Sequence, residues 1–339
     1  MAKLQEAQVL LDYLYNLLDS NASLDIDLIQ YKARVLLALP DTLKFYQDIF
    51  AFDRLEDSPI GIFQSYIEAY YRQGWPPSLS LLVAYFVVSG GIQKYNANHV
   101  KALCTAAILA EIPSSLPYHN NDHFKNVFVS ATFLSKIHQL HEGVVFKTDN
   151  LALLFITAFI HDFEHTGVGN TVDGVYVPYY LEKKSYLAAA PYFLSLTSDE
   201  LEVIYAFLMA TDVSPRKSGM SAAFQVRQIF REGALKETKV SFAMDDELMI
   251  FSKDIELCFL AIVLQEADIL PSAAFSYDSL STFSQKLKEE TDRDFTSPKA
   301  KLFFIDHILG KGFVAPATAK LFNDKIKNIR DVIIEQQNS

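Results

Sequence analysis

Apolar residues recur at three- and four-residue spacing over most of this chain, and that period commits it to helices. Leu4, Leu10, Leu11, Leu14, Leu17 and Leu18 form one such set, as expected of a helix whose apolar stripe faces a core. Similar patterns occupy residues 27–39, 43–51, 60–72, 78–88 and 97–111, with breaks at Leu39-Pro40-Asp41 and Gly74-Trp75-Pro76-Pro77. The two-residue alternation of strands bounded by hairpin turns is nearly absent. The expected fold is all-α, with many helices, no internal repeat and no low-complexity tract.

Composition narrows the function classes. Half of the 339 residues are hydrophobic, including 26 Phe and 17 Tyr, enough for a sizeable core and against wholesale disorder. A net charge of −11 argues against a nucleic-acid partner, since such proteins neutralise phosphates with basic stripes. A small anionic substrate stays compatible, because bound cations reverse a local field. Cys104 and Cys258 both lie in apolar stretches and offer no disulfide framework. The first twenty residues carry Glu6 and Asp12 where a signal peptide would be continuously apolar. The longest apolar run, Leu151 to Ile160, is about half of a membrane span. The expectation is a soluble, cytoplasmic protein with no membrane span; oligomeric state is open. Loop signals gather at Val213–Ser221, Arg231–Glu247 and Glu289–Lys301, and long loops of this kind border sites or merely connect helices.

Four of the eight histidines form two i,i+4 pairs, His119/His123 and His161/His165. Positions four apart share a helix face, so each pair can aim its imidazoles at one point. The second pair follows the run ending at Ile160, whose only polar side chain is Thr157. His161 and Asp162 are therefore expected at the end of a buried helix, where an uncompensated carboxylate is costly. A divalent cation removes that cost. One such histidine pair is an ordinary structural feature; two pairs with a His-Asp dyad are not. A further apolar stretch, Leu257–Leu264, leads to Asp268 among apolar neighbours. Imidazole and carboxylate ligands together suit zinc, manganese or iron, and an oxygen-rich second position suits magnesium.

The segment Tyr118-His119-Asn120-x-x-His123, followed by His161-Asp162-x-x-His165-x-Gly167-x-x-Asn170, resembles the signature of the class I cyclic nucleotide phosphodiesterases, an HD-type metal phosphohydrolase family. Ala210-Thr211-Asp212, Ala267-Asp268 and Phe304-Ile305-Asp306 follow in the family's order, so the resemblance covers roughly residues 80 to 330. It implies an all-helical catalytic domain, 81–339; with no obvious linker in the sequence, the N-terminal helical segment, 1–80, is expected to pack on it. The resemblance implies further that His123, His161, Asp162 and Asp268 hold a tight zinc. Asp162 would also reach a second cation, magnesium or manganese, and His165 would belong to the outer shell of the pair. His119 would be the general acid, with Asn170 and Glu182 in supporting places. His99, His138, His141 and His307 match no functional position and are expected to be surface or packing residues.

The chain departs from the family at the base. Phe304 stands where a phenylalanine stacks on the purine, but Lys301 replaces the glutamine three residues earlier, and Pro271 replaces a pocket asparagine. Lys183-Lys184-Ser185-Tyr186 replaces a histidine pair after Glu182. The implied function is hydrolysis of a 3′,5′-cyclic nucleotide, cyclic GMP or cyclic AMP, to the 5′-monophosphate. Lys301, as a pure donor, would favour guanine if it faced the base. The alternatives are an HD-type hydrolase of another phosphodiester or phosphorylated nucleotide, and a non-catalytic binder.

Overall fold

The computed structural model describes residues 60–74, 95–214, 219–233 and 242–338. The helices read at 27–39, 43–51 and 78–88, the leucine set of residues 4–18 and the boundary at 80/81 lie outside them. Helix α1 is Ile60–Gln73, α2 Ala97–Leu109, α3 Asn121–Glu142, α4 Thr148–Ile160, α5 Tyr180–Ala189 and α6 Ser198–Ala210. Then come α7 Ala222–Gly233, α8 Met249–Lys253, α9 Ile255–Ala273, α10 Tyr277–Thr291, α11 Pro298–Phe303 and α12 Pro316–Asn338. A π-turn, Phe304–Ile308, continues α11. The only described strands are β1, Thr171–Val172, and β2, Val175–Tyr176, which pair antiparallel. The fold is all-α.

Helix α4 shows why the core lies where it does. Every residue from Leu151 to Ile160 is buried, and a helix apolar on all sides must be surrounded. Its one hydroxyl, Thr157, donates back to Leu153 O at 2.8 Å and so leaves no unpaired polar group. Helix α9 is the second such axis, buried from Leu257 to Ala267 and capped by Asp254, which accepts from Glu256 N and Leu257 N.

These two helices begin side by side. Glu256, in the first turn of α9, accepts from Lys147 N and Asn150 Nδ2 at the start of α4, each at 2.8 Å. His161 and Asp268 stand equally far along their helices from this tie, roughly 20 Å at the α-helical rise. Helix α3 runs the other way, with His138 edge-on to Phe259 of α9 at 4.9 Å. Its first turn, and His123 with it, therefore meets the far ends of α4 and α9. The bundle's geometry alone brings three helix ends to one place.

The described part of the N-terminal segment packs on this core. Phe63 and Ile67 of α1 are fully buried, and the Phe63 ring stacks on Phe133 of α3 at 4.1 Å. Cys104 and Cys258 are free and buried, and burial pushes both thiols up to about 12. No single described helix is long and apolar enough to cross a membrane.

Candidate active site

The two histidine pairs meet, but not as pairs on one helix. Asn120 caps α3, its Oδ1 accepting from Asp122 N at 3.0 Å and His123 N at 3.2 Å. His119 thus precedes the helix and His123 sits in its first turn. His161 is the C-cap of α4, and His165 lies in the turn beyond it. Each pair straddles a helix end, where a side-chain cap in one case and a tight turn in the other redirect the chain. The turn carries Glu164 at φ 58° and Gly167 at φ 77°.

Four candidate ligand atoms converge. His161 Nε2 is 3.1 Å from His123 Nε2 and 2.9 Å from Asp162 Oδ2. His123 Nε2 is 3.2 Å from both Asp162 Oδ2 and Asp268 Oδ1, and His161 Nε2 is 3.8 Å from Asp268 Oδ1. Ligands about 2.1 Å from a tetrahedral cation stand about 3.4 Å apart. The five distances are of that order, and His123, His161 and Asp268 form a group whose ligand atoms could share one ion, with Asp162 against both imidazoles. His161 Nδ1 lies 3.0 Å from Ala158 O, an N–H contact that turns the Nε2 lone pair toward the cluster.

The electrostatics of the cluster call for positive charge. Burial lowers the pKa of His123, but hydrogen bonds with Asp162 and Asp268 outweigh it and push the ring up to about 9. His161 moves the same way: burial opposes the charged form and Asp162 restores it. Asp162 is held well below the usual carboxylate range, where the charges of His161 and His119 overcome its burial. Two carboxylates that raise the proton affinity of two buried imidazoles form a donor set that a divalent cation fits, since it supplies the charge and takes the lone pairs.

His119, His165 and Glu290 also lie close together, and their geometry argues against a cation there. The His119 and His165 rings stack at 3.7 Å, 23° from parallel, so their nitrogen lone pairs do not point to one centre. His165 Nδ1 accepts from Gly167 N at 3.0 Å. Burial, followed by the charge of His119, pushes His165 down to about 4. Glu290 is instead a clamp on His119. Its Oε1 accepts from His119 Nδ1, and its Oε2 accepts from Tyr118 N at 2.9 Å and His119 N at 3.0 Å. His119 Nε2 is left facing the cluster, 4.0 Å from Asp162 Oδ2. Glu290 is a functional candidate that the sequence pattern does not single out, although it falls in the loop-signal segment from Glu289 to Lys301.

The supporting residues meet each other. Asn170 accepts from Leu181 N at 2.8 Å and donates to Glu182 Oε2 at 3.1 Å and Ser214 Oγ at 3.3 Å. Burial and then the charge of Asp212 push Glu182 up to about 8. Asp212 is buried and accepts from Ser214 N at 2.8 Å and Tyr179 N at 3.3 Å. Where the resemblance leads one to expect histidines, Lys183 pairs with Glu247 at 2.9 Å, and Lys184 donates to Glu164 O at 3.0 Å.

The residues expected at the base have partners of their own. Lys301 is 6 % exposed, and its Nζ donates to Tyr277 Oη at 3.1 Å and Ser281 Oγ at 2.9 Å, both on α10. Phe304 is partly buried against the core at the start of the π-turn. Pro271 helps to wall a cavity of about 30 Å³ with Ile67 and Glu68 of α1. Asp306 forms a two-pronged pair with Arg330, at 2.8 and 3.0 Å. Among the remaining histidines, His99 and His138 are buried packing residues, bonded to Glu200 and to Glu142 and Thr318 respectively, while His307 is exposed.

No family model matches the chain, and no curated protein matches it. Its fold is similar to that of LmjPDEB1, a Leishmania phosphodiesterase solved in complex with IBMX. The similarity covers 88% of this chain and 98% of that chain, with a TM-score of 0.56 and 14% sequence identity. At that identity it is the fold that is shared.

Proposed function

We propose that this chain is a metal-dependent phosphodiesterase that hydrolyses a 3′,5′-cyclic nucleotide to the 5′-monophosphate. The observation that carries the reading is the meeting of His123, His161 and Asp268, with Asp162 against both imidazoles, beside a histidine that a carboxylate orients. His123, His161, Asp162 and Asp268 would hold a zinc-like cation, and Asp162 would share a second, magnesium or manganese. Bound there, the cations would supply Lewis-acid charge to the phosphodiester and acidify water. The chain's own part is proton transfer and orientation. Glu290 fixes the His119 ring through Nδ1, so His119 Nε2 faces the cluster and can give its proton to the departing ribose oxygen. His165, stacked on His119, limits its rotation. Asn170 and Glu182 brace the rim near Asp212.

A second reading, hydrolysis of another phosphodiester or a phosphorylated nucleotide, is favoured by one observation. Lys301 is bound to α10, and a proline holds the pocket asparagine's place, so neither position offers a nucleobase a paired donor and acceptor. The test is to incubate the protein with zinc and magnesium and either cyclic GMP, cyclic AMP or bis(p-nitrophenyl) phosphate, and to separate products by chromatography. A 5′-monophosphate from a cyclic nucleotide, absent in Asp268→Asn, is expected. Turnover of the nitrophenyl ester alone would select the second reading, and turnover of none would leave a binder.

A further inference from the structure

The π-turn that presents Phe304 is held by more than its own backbone. Leu309 N donates to Phe304 O and Lys311 N to Ile305 O, each at 2.9 Å. Such wide turns are rare and recur at functional places. Arg227, on α7, grips this one from within. It is 2 % exposed, its Nη1 donates to Ile308 O and Leu309 O at 2.9 Å each, and its Nε donates to Gln265 Oε1 at 3.3 Å. Gln265 stands one turn before Asp268 on α9 and is itself fixed by donating to Ala210 O at 2.8 Å. The turn closes tightly onto the guanidinium. Gly310 has φ 67°, and a Cβ there would lie 3.3 Å from the Phe224 ring and 3.7 Å from Arg227 Nη1. Burying a guanidinium is costly even with the charge of Glu266 nearby, and a position that only needed filling would be better served by methionine or leucine.

We infer that Arg227 is a positioning residue for substrate binding: it ties the turn bearing Phe304 to the helix bearing Asp268, and so sets the place of the Phe304 ring relative to the cation site. The inference rests on the reading of Phe304 as a substrate-facing ring. Arg330 grips the same turn through Asp306, but from a partly exposed side, where a pair contributes little. The specific control therefore lies with the buried guanidinium.

The test compares Arg227→Lys, Arg227→Met and Gly310→Ala with the unaltered protein. The glycine variant strains the turn without removing a charge and stands in if the arginine variants fold poorly. Amide hydrogen exchange across residues 304–311 is expected to quicken about tenfold in Arg227→Met and Gly310→Ala, and less in Arg227→Lys, with the peptides around His123 and Asp268 unchanged. With cyclic GMP and cyclic AMP as substrates, KM should rise about five- to twentyfold while kcat stays within about threefold. Unchanged exchange would overturn the inference, as would a loss confined to kcat. A Phe304→Leu arm separates two failures. Unchanged KM in Phe304→Leu would take Phe304 out of the substrate site and the nucleotide reading with it. Raised KM there beside unchanged KM in Arg227→Met would overturn only the role of Arg227.

Discussion

At the scale of single residues, the proposed function separates groups that would hold charge from a group that would move a proton. Replacing His119 by alanine removes no candidate ligand, so metal content should hold while turnover of a cyclic nucleotide falls about 10²- to 10⁴-fold. For bis(p-nitrophenyl) phosphate, whose leaving group hardly needs a proton, the loss should stay below about tenfold. Equal losses on the two substrates would give His119 a binding role instead. Lys301 is the opposite case, a group that the family resemblance would place at the base and the contacts place against α10. Two of its three donors are taken by Tyr277 and Ser281. Lys301→Gln should therefore lower the melting temperature yet change the cyclic GMP to cyclic AMP ratio of kcat/KM by less than about threefold. A tenfold change in that ratio would put the lysine on the base. The candidate ligands were legible in the sequence because histidine and aspartate at the ends of apolar runs have few bland explanations. Glu290 was not, since it is one acid in a charged stretch and its partner His119 is 171 residues away. Nothing local marks it.

At the scale of elements, the apolar period was enough to find helices but not their ends. The pattern at 60–72 became Ile60–Gln73, and that at 97–111 became Ala97–Leu109. The histidine spacing was read as one helix face, whereas caps and turns decide it: Asn120 satisfies the first amides of α3, and the chain leaves α4 at His161. A π-turn keeps much the same spacing of apolar residues as an α-helix, so the turn at Phe304 was invisible. The loop after α4 offers a direct test of how an element holds a site. A Cβ on Gly167 would stand 3.1 Å from Glu290 Cγ and 3.3 Å from Leu116 Cδ2, whereas a Cβ on Gly169 would meet nothing within 4 Å. Both glycines have positive φ, so alanine at either should cost about 1–2 kcal/mol in backbone strain. Only Gly167→Ala should also press on the Glu290 clamp and reduce turnover of cyclic nucleotides, with metal content unchanged. Denaturant melts and kcat for the two variants make the comparison, and equal kcat in both would detach Glu290 from catalysis.

At the scale of the whole molecule, the candidate cation site is where three helices tied together elsewhere meet again. Glu256 joins the beginnings of α4 and α9, and a cation on His123, His161, Asp162 and Asp268 would join their ends to the start of α3. Binding of that kind adds to folding stability, about 2.7 kcal/mol at a metal concentration one hundred times Kd. Stripping with a chelator should therefore lower Tm by about 5 °C. The size of the drop should depend on pH, and His123 sets the direction. In the stripped protein its folded pKa, about 9, stands above the ordinary histidine value of 6.5. The protonated ring thus contributes stability that is complete below pH 6.5 and is lost as pH climbs through 9. His161 is shifted the same way and adds to the loss. In the loaded protein the cation replaces those protons, and binding strengthens as fewer protons compete. The gap in Tm between loaded and stripped protein should accordingly widen from pH 6.5 to pH 9, as read by calorimetry at fixed free zinc. A constant gap would mean that the imidazoles are not the atoms the metal displaces protons from, and a narrowing one would reverse the assignment of the site's charge.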